Sequence, residues 1–263
     1  MHQCCQRIPH SAPSSRTIVT TMAKIEFAGK TDVGLVRSNN EDAFVVNDDA
    51  VYCLVADGMG GAAAGETASR IFAQTAGEVL VGKTRLDEKT VMYAVQETFV
   101  RANDRILTHV IHYPEHAGMG CTAELIAFSA DGFVIGHMGD SRTYMFRGGQ
   151  LRQLTKDHSF VQEQIDQGVI SAEQARNHKM RNVILRAVGV RSSLELDTIC
   201  GAVFPDDIFL LCSDGLTDMV DDGQISDVLG QNGDLSHKAS RLVELANHAG
   251  GKDNITVVLA QST

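Results

Sequence analysis

Three aspartates stand where apolar, strand-like segments begin or end, and their carboxylates are the groups in this sequence best placed to do chemistry. Asp57 closes the apolar run in VYCLVADGMGG (51–61), Asp214 follows IFLLCS, and Asp253 precedes NITVVLA. In an antiparallel pair, the entrance of one strand lies beside the exit of the other, so the three carboxylates can meet at one rim of the sheets. Ionised carboxylates held that close repel each other unless a cation neutralises them.

The residue types in these segments favour a hard divalent cation over a softer metal. The three segments offer oxygen ligands without His or pairs of Cys, which indicates Mg²⁺ or Mn²⁺, with two ions sharing Asp57. Gly58 has no side chain, so its carbonyl can approach an ion closely. The alternative is three unrelated turns, because Asp and Gly are common where strands end. Spacing alone leaves both interpretations open.

Two other segments carry groups suited to a phosphate or to a further ion. Arg37 begins RSNNED, and its planar fork can hold two phosphate oxygens at once, although a solvated loop with a local ion pair is the alternative. Asp140 follows the strand-like GFVIGHMG and is a candidate fourth carboxylate at the rim. We interpret His137 as a hydrogen-bonded core residue and His158 as a surface loop residue.

The balance of charge argues against nucleic acid and anionic membranes as partners. The 263 residues contain 33 acidic and 23 basic residues, a formal net charge of -10, which repels a phosphate backbone and suits cation binding. No apolar run approaches the roughly 20 residues of a membrane span. The cysteines lack paired spacing or a CxxC pattern, so we expect reduced thiols and a cytoplasmic protein.

The elements that must position these aspartates are strands in consecutive groups and helices in blocks. Six strand-like segments are rich in branched residues, and RGGQ (147–150) has the composition of a hairpin turn. Apolar residues recur every three or four positions over 92–113 and 235–249, which predicts two amphipathic helices. The pattern favours an α+β fold in which antiparallel sheets are covered by helices.

The chain divides into a short tail and one domain. Residues 1–22 contain Ser, Thr and Pro but no acid, and we predict a disordered tail, with Met22 as a candidate true start. No linker or internal repeat interrupts the remainder, so residues 23–263 are predicted to form one catalytic domain. Within it, residues 160–181 have helical character, and Ser171 with Gln174 fits a capping box.

Eight motifs in order resemble those of the metal-dependent protein phosphatases, the protein phosphatase 2C family, in its compact bacterial form. They are RSNNED, DGMGG followed by GE, GMGCTA, GDSRTY, LTKDHS, NVILRAVG, CSDGLTD and GKDNITVV, and they extend over about residues 26–260. The resemblance implies a four-layer αββα sandwich of two antiparallel β-sheets flanked by helices. It also implies a flap at about 160–181, although an ordinary surface helical hairpin is an alternative reading of that segment.

The resemblance implies the hydrolysis of phosphoserine and phosphothreonine in proteins, without a covalent intermediate, by water activated on two Mn²⁺ or Mg²⁺ ions. Arg37 would hold the phosphate oxygens. The remaining roles by motif match are Asp57 bridging the two ions, Gly58 giving its carbonyl, Asp214 and Asp253 binding one ion, Glu41 acting through a water, Asp42 and Asn254 supporting the ligands, and Asp140 with Asp214 holding a possible third ion.

The sequence departs from the family where a general acid is proposed. Eukaryotic members carry His at the position of Met59, and many bacterial members carry His at the position of Ala62. Neither Met nor Ala can protonate a leaving alkoxide, so this role is unassigned, with a metal-bound water or His158 as candidates. Cys121 also replaces the usual Thr, which we expect to be a tolerated packing change.

Three functions remain in competition. A pseudophosphatase that acts as a binding module is disfavoured, because the three metal carboxylates are all present. A metal phosphohydrolase acting on small phosphoesters stays open, because a metal centre recognises phosphate and not what is attached to it. For an active protein phosphatase, the expected partners are phosphorylated Ser/Thr proteins and a cognate Ser/Thr kinase or its substrates, and we expect a monomer.

Overall fold

Two β-sheets form the centre of the molecule. The structure is a computed structural model, and it describes residues 6–8, 24–49, 51–60, 64–82, 86–130 and 132–263. The first sheet has the spatial order β1 (Gln6–Arg7), β10 (Asp197–Gly201), β7 (Phe133–Met138), β6 (Ala123–Phe128), β4 (Tyr52–Met59) and β3 (Asp42–Asn47), and β5 (Gly120–Cys121) pairs with the end of β4. The second has the order β2 (Ile25–Asp32), β12 (Ile255–Ser262), β11 (Ile208–Cys212), β8 (Arg142–Arg147) and β9 (Gln150–Gln153).

Helices cover the outer face of each sheet. The helices in the described residues are α1 (Ala64–Leu80), α2 (Glu88–His112), α3 (Phe160–Asp166), α4 (Ala172–Arg176), α5 (Asp214–Thr217), α6 (Asp222–Gly230) and α7 (Leu235–His248), with a 3₁₀ turn at Pro114–His116. Apolar residues of α1 and α2 share one core cluster with the first sheet, and those of α6 and α7 share another with the second sheet. A third cluster lies between the two sheets. The predicted four-layer αββα sandwich is therefore confirmed.

The sheets are antiparallel with one exception. Strand β1 pairs in parallel with β10, so the first sheet is mixed, and the prediction of two antiparallel sheets holds for the second sheet and for the rest of the first. Gln6 and Arg7, which form β1, lie in the stretch that the sequence assigns to a tail. Residues 1–5 and 9–22 of that stretch lie outside the described residues.

Burial on both faces explains why the central strands have continuous apolar sequences. Every residue of β6, β7 and β11 is buried. One face of each strand packs against the other sheet, and the opposite face is covered by helices. The predicted hairpin is also present: β8 and β9 pair through Gly148 and Gly149, both at positive φ, where glycine carries little strain. No helix in the described part of the chain is long and apolar enough to cross a membrane.

Phe209→Ala should destabilise the protein strongly, because Phe209 fills the interface between the sheets. Its ring centroid lies 4.9 Å from that of Phe133 and 5.6 Å from that of Phe128, and its side chain is fully buried. Removing a buried phenyl ring costs about 3–5 kcal/mol of unfolding free energy. Urea denaturation measures this, with Val100→Ala on the exposed side of α2 as the control, expected within about 0.5 kcal/mol of wild type. Equal stabilities of the two variants would contradict the proposed core.

Candidate metal centre

The predicted carboxylates converge on one edge of the two sheets. Asp57 lies near the end of β4, Asp214 begins α5 directly after β11, Asp253 precedes β12, and Asp140 follows β7. The antiparallel pairing of β11 with β12 places the exit of one beside the entrance of the other, as the sequence predicted. Burial raises the pKa of Asp57 well above its ordinary value, and the charges of Asp42, Asp214, Asp140 and Asp253 raise it further. These carboxylates therefore lie close enough to repel one another.

Asp42 lies directly across from Asp57 and is held by two hydroxyl groups. The two residues are register partners in the β3–β4 pair. The Ser213 hydroxyl donates to Asp42 Oδ2 at 2.8 Å, and the Thr256 hydroxyl donates to the same oxygen at 2.6 Å. Burial raises the pKa of Asp42 to about 6, although these hydrogen bonds act in the opposite direction. Asp42 thus connects the first sheet with the segments that carry Asp214 and Asp253.

The chemistry of the cluster fits a cation. Asp140 Oδ1 and Asp214 Oδ1 are buried and have no hydrogen-bond partner. Burial raises the pKa of Asp140 to about 7, with a further contribution from Asp157. Burial likewise raises the pKa of Asp214, followed by the charges of Asp140 and Asp218. Buried carboxylate oxygens without donors are costly, and a divalent cation is the ligand that would satisfy several of them together.

The carboxylates do not by themselves form a complete ion-binding shell in the part of the chain that the structure describes. Among the described residues, no three His, Cys, Asp or Glu side chains already have the mutual geometry of a complete metal site. Mg²⁺ usually retains several waters and binds proteins through one or two carboxylates. The cluster is therefore consistent with ions that complete their coordination with water.

Gly58 and Glu41 meet at the beginning of α1. The Gly58 amide donates to the Glu41 carbonyl at 3.2 Å, and a Cβ on Gly58 would overlap the Gly65 carbonyl, so only glycine fits here. A Cβ on Gly65 would in turn overlap Glu41 Oε2, which places the Glu41 carboxylate against the start of α1. Asn39 Nδ2 donates to Glu41 Oε1 at 3.2 Å. The structure thus brings Glu41 and Gly58 together beside Asp57.

Asn254 fastens the loop before β3 to the start of β12. Its Oδ1 accepts from the Glu41 amide at 2.7 Å, and its Nδ2 donates to the carbonyls of Val33 and Asn39 at 3.0 and 2.9 Å. The side chain is buried and uses its acceptor and both of its donors. Asn254 therefore fixes the position of Glu41, and the supporting role that the resemblance implies for Asn254 stays a prediction.

Asn254→Ala should weaken both the fold and ion binding. Three hydrogen bonds are lost and three backbone groups lose their partner, so we expect about 1–3 kcal/mol less unfolding free energy and several-fold weaker Mn²⁺ binding. Denaturant unfolding and calorimetric titration measure the two effects. Asn232→Ala, at an exposed position between α6 and α7, is the control and should change neither. Wild-type Mn²⁺ affinity in Asn254→Ala would show that this loop does not support the ions.

Arg37 lies beside the cluster and pairs with one of its predicted ligands. Arg37 Nη2 donates to Asp253 Oδ2 at 2.7 Å, and about half of the Arg37 side chain is exposed. The hydrogen bond to Asp253 raises the pKa of the guanidinium group. The sequence predicted separate roles for these two residues and did not predict their contact. Arg37 therefore reaches the cluster edge and keeps part of its fork accessible to solvent.

His158 corrects one expectation, and His137 fulfils another. His137 is buried and hydrogen-bonded to Glu124, as expected for a core residue. His158 is also buried, so its interpretation as a surface loop residue is wrong. Its Nδ1 accepts from the Gly139 amide at 3.2 Å, which leaves Nε2 as the donor to Asp197 Oδ2 at 3.2 Å. Because both ring nitrogens are engaged, His158 is poorly suited to act as the general acid.

Sequence reasoning missed several residues that act on the cluster. Ser213 and Thr256 bind Asp42, and the Thr122 hydroxyl accepts from the Asp57 amide at 3.2 Å. Asp218 was missed although CSDGLTD contains it four residues after Asp214, a spacing that puts both on one helical face. Ala62, where many relatives carry His, lies outside the described residues. Cys121 is a buried free thiol, and so are the other three described cysteines.

Comparison with known proteins identifies the family. The model of the family described as protein phosphatase 2C matches residues 36–256. The chain is 38% identical over 236 residues to the serine/threonine phosphatase stp of Listeria monocytogenes, covering 88% of this chain and 94% of that protein. It is 40% identical over 240 residues to the serine/threonine protein phosphatase PstP of Mycobacterium tuberculosis, covering 90% of this chain and 45% of PstP.

A solved structure extends the similarity to three dimensions. The catalytic domain of PstP, crystallised in complex with two manganese ions, superposes with a TM-score of 0.82 at 36% identity and covers 90% of this chain and 97% of that structure. The resemblance noted from the eight motifs is therefore confirmed. The chain belongs to the protein phosphatase 2C family, the metal-dependent serine/threonine phosphatases of bacterial type.

Proposed function

We propose that this chain removes phosphate from phosphoserine and phosphothreonine in proteins, using the carboxylate cluster to hold Mn²⁺ or Mg²⁺. The observation that carries the proposal is the group of carboxylates at one sheet edge, three of which, Asp42, Asp140 and Asp214, have a buried oxygen without a hydrogen-bond partner. Burying several carboxylates together is costly unless cations neutralise them. Their position at one edge of both sheets therefore favours a catalytic role over a purely structural one.

Each residue of the cluster has a proposed role in holding the ions. Asp57 would be shared by two ions, Asp214 and Asp253 would hold one of them, Gly58 would offer its carbonyl, Glu41 would act through water, and Asp140 with Asp214 would hold a possible third ion. When bound, divalent cations supply Lewis acidity and lower the pKa of coordinated water toward neutrality. Asp42 supports the ligands through Ser213 and Thr256, and Asn254 supports them through the Glu41 amide.

Arg37 is proposed to bind and orient the phosphate. Its fork can donate two parallel hydrogen bonds to the non-bridging oxygens, which fixes the ester for attack from the opposite side and offsets the charge that develops. The pairing with Asp253 holds the guanidinium at the cluster edge before the substrate arrives. The attacking group is water, so no side chain has to form a covalent intermediate.

The proposed setting is that of a cytoplasmic signalling enzyme. The substrates are phosphorylated Ser/Thr proteins, a cognate Ser/Thr kinase or its targets are the proposed partners, and the chain acts as a monomer. The buried free thiols Cys53, Cys121, Cys200 and Cys212 support a reducing compartment.

The test is hydrolysis of phosphothreonine and phosphoserine peptides with Mn²⁺, with and without chelator. We expect turnover that requires the metal and disappears when it is removed. Turnover that persists in a metal-free sample would refute the proposal. Phosphorylated metabolites assayed beside the peptides address the second candidate, a small-molecule phosphohydrolase, which would turn over such esters and leave the peptides intact. Mn²⁺ binding without turnover of either substrate class would indicate a pseudophosphatase.

A further inference from the structure

A cavity of about 120 Å³ lies between the end of β4 and the segment 184–195. Its apolar lining comes from Met59, Met138, Ile184, Leu185, Ala187 and Val190. Arg186, Arg191 and Glu195 add charged groups. A cavity of roughly 150 Å³ accepts benzene in an engineered protein, so this one has room for a single side chain of moderate size.

The cavity adjoins the metal centre at two points. Met59 follows Asp57 by two residues on β4, and Met138 precedes Asp140 by two residues at the end of β7. Two residues of extended chain span about 7 Å. A protein substrate whose phosphate lies at the carboxylate cluster therefore brings its neighbouring residues within reach of this cavity.

The wall formed by 188–191 is fixed before any substrate binds. Val188 and Cys121 exchange two backbone hydrogen bonds of 3.0 and 2.9 Å. The buried Asn103 of α2 accepts from the Gly189 amide at 2.8 Å and donates to the Arg191 carbonyl at 3.0 Å. Gly189 has φ of +91°, and a Cβ there would overlap Ile106, so the turn depends on glycine. A preformed wall avoids much of the ordering cost of binding.

The charges around the cavity leave one cation without a partner. Arg186 is neutralised by Glu195 at 3.3 Å and by Asp197 at 3.2 Å. Arg191 is exposed, and no carboxylate in the described ranges forms an ion pair with it. A guanidinium group at the rim of an apolar cavity complements a side chain that has a short apolar stem and an anionic end.

We propose that this cavity is the subsite for a glutamate or aspartate close to the phosphorylated residue of a protein substrate, whose stem contacts the apolar lining and whose carboxylate pairs with Arg191. This inference rests on the proposed function, because it requires a peptide substrate. It identifies the substrate class more narrowly, as phosphorylated Ser/Thr segments with an acidic neighbour. Arg191 is then a specificity-determining residue that contacts the substrate away from the reacting phosphate.

The test is a set of phosphothreonine peptides in which one Glu is moved through the positions on either side of the phosphorylated residue, each matched by Gln and Lys versions. At one position we expect the wild-type enzyme with Mn²⁺ to show a kcat/KM about five-fold higher for Glu than for Lys, the size of an exposed ion pair. In Arg191→Glu, the Glu-to-Lys ratio at that position should reverse. Arg152→Glu, an exposed arginine on β9 outside the cavity lining, makes the same charge change and should keep the wild-type ratio.

The ratio is measured within each variant, so a general loss of activity does not affect it. Equal kcat/KM for the Glu and Lys peptides at every position, or a wild-type ratio in Arg191→Glu, overturns the subsite and leaves the phosphatase assignment intact. A preference for Lys at the position nearest the cavity also overturns it. If the wild-type enzyme hydrolyses none of the phosphopeptides with Mn²⁺, the proposed function itself fails.

Discussion

Asp57→Asn is expected to lower kcat with a phosphopeptide by about a thousand-fold or more and to remove the stoichiometric binding of two Mn²⁺ ions. Asp57 is the carboxylate proposed to be shared by both ions, and it lies across from Asp42 in the β3–β4 pair. An amide cannot bridge two cations as a carboxylate does, and catalysis by metal ions is worth several kcal/mol of barrier, which corresponds to a thousand-fold in rate. Calorimetric titration with Mn²⁺ and a phosphopeptide assay measure the two effects.

A second readout distinguishes lost catalysis from damaged structure. The charge of Asp57 is repelled by Asp42, Asp214, Asp140 and Asp253, so its neutralisation should raise the stability of the metal-free protein. Added Mn²⁺ should then stabilise Asp57→Asn far less than wild type, because binding to the native state is what provides that stabilisation. Asp227→Asn, on the exposed side of α6, is the matched control and should behave as wild type. Normal two-ion binding by Asp57→Asn would contradict the proposed bridging role.

The positions of the aspartates were predictable because strand direction determines which ends meet. Asp214 follows one buried strand and Asp253 precedes another, and the antiparallel pairing of β11 with β12 brings them to the same edge. Periodicity likewise predicted α2 and α7, whose apolar stripes are long. These predictions depend on local pattern and on one rule of sheet geometry.

Helix α1 was not predicted, because its buried face is composed largely of small residues. Ala64, Ala68 and Ala76 are buried there beside Phe72, which packs edge to face against Phe99 of α2 at a centroid distance of 4.9 Å. Few of the buried residues of α1 are large and apolar, although the helix itself is amphipathic. A search for recurring large apolar residues therefore does not detect a helix whose small residues pack closely on a sheet.

The contacts among site residues were unpredictable for a different reason. Ser213 and Thr256 reach Asp42 from positions 171 and 214 residues away in the sequence, and Asn254 reaches Glu41 from 213 residues away. No local pattern specifies such a pair, because it depends on how the two sheets stack. The sequence identifies residues capable of the chemistry, and the packing of the sheets determines which of them touch.

The ion pair between Arg37 and Asp253 connects the proposed phosphate-binding group with a proposed metal ligand. One partner is the predicted phosphate ligand and the other a predicted metal ligand, and they are 2.7 Å apart. A bound cation would attract the carboxylate of Asp253, and a bound phosphate would attract the guanidinium of Arg37. Substrate binding and ion binding are therefore expected to be linked through these two side chains.

Arg37→Ala should lower kcat/KM for a phosphopeptide by about a hundred-fold to a thousand-fold while both ions still bind. Removal of one donor aimed at developing charge has an effect of that order, and Arg37 offers two. Mn²⁺ affinity should be unchanged or higher, because Asp253 loses a competing cation. Arg37→Lys keeps the charge but loses the planar fork, so it should lie between alanine and wild type. Steady-state kinetics and calorimetric titration with Mn²⁺ measure these changes.

A matched arginine separates phosphate binding from the general effect of removing a surface charge. Arg241 on α7 is similarly exposed and also pairs with a carboxylate, that of Glu244, at 3.2 Å. Arg241→Ala should leave kcat/KM within about two-fold of wild type, since exposed ion pairs contribute little. An unchanged kcat/KM in Arg37→Ala would show that the phosphate is held by other groups. Loss of Mn²⁺ binding in the same variant would instead assign Arg37 to the support of Asp253, and the drop in turnover would follow from the missing ions.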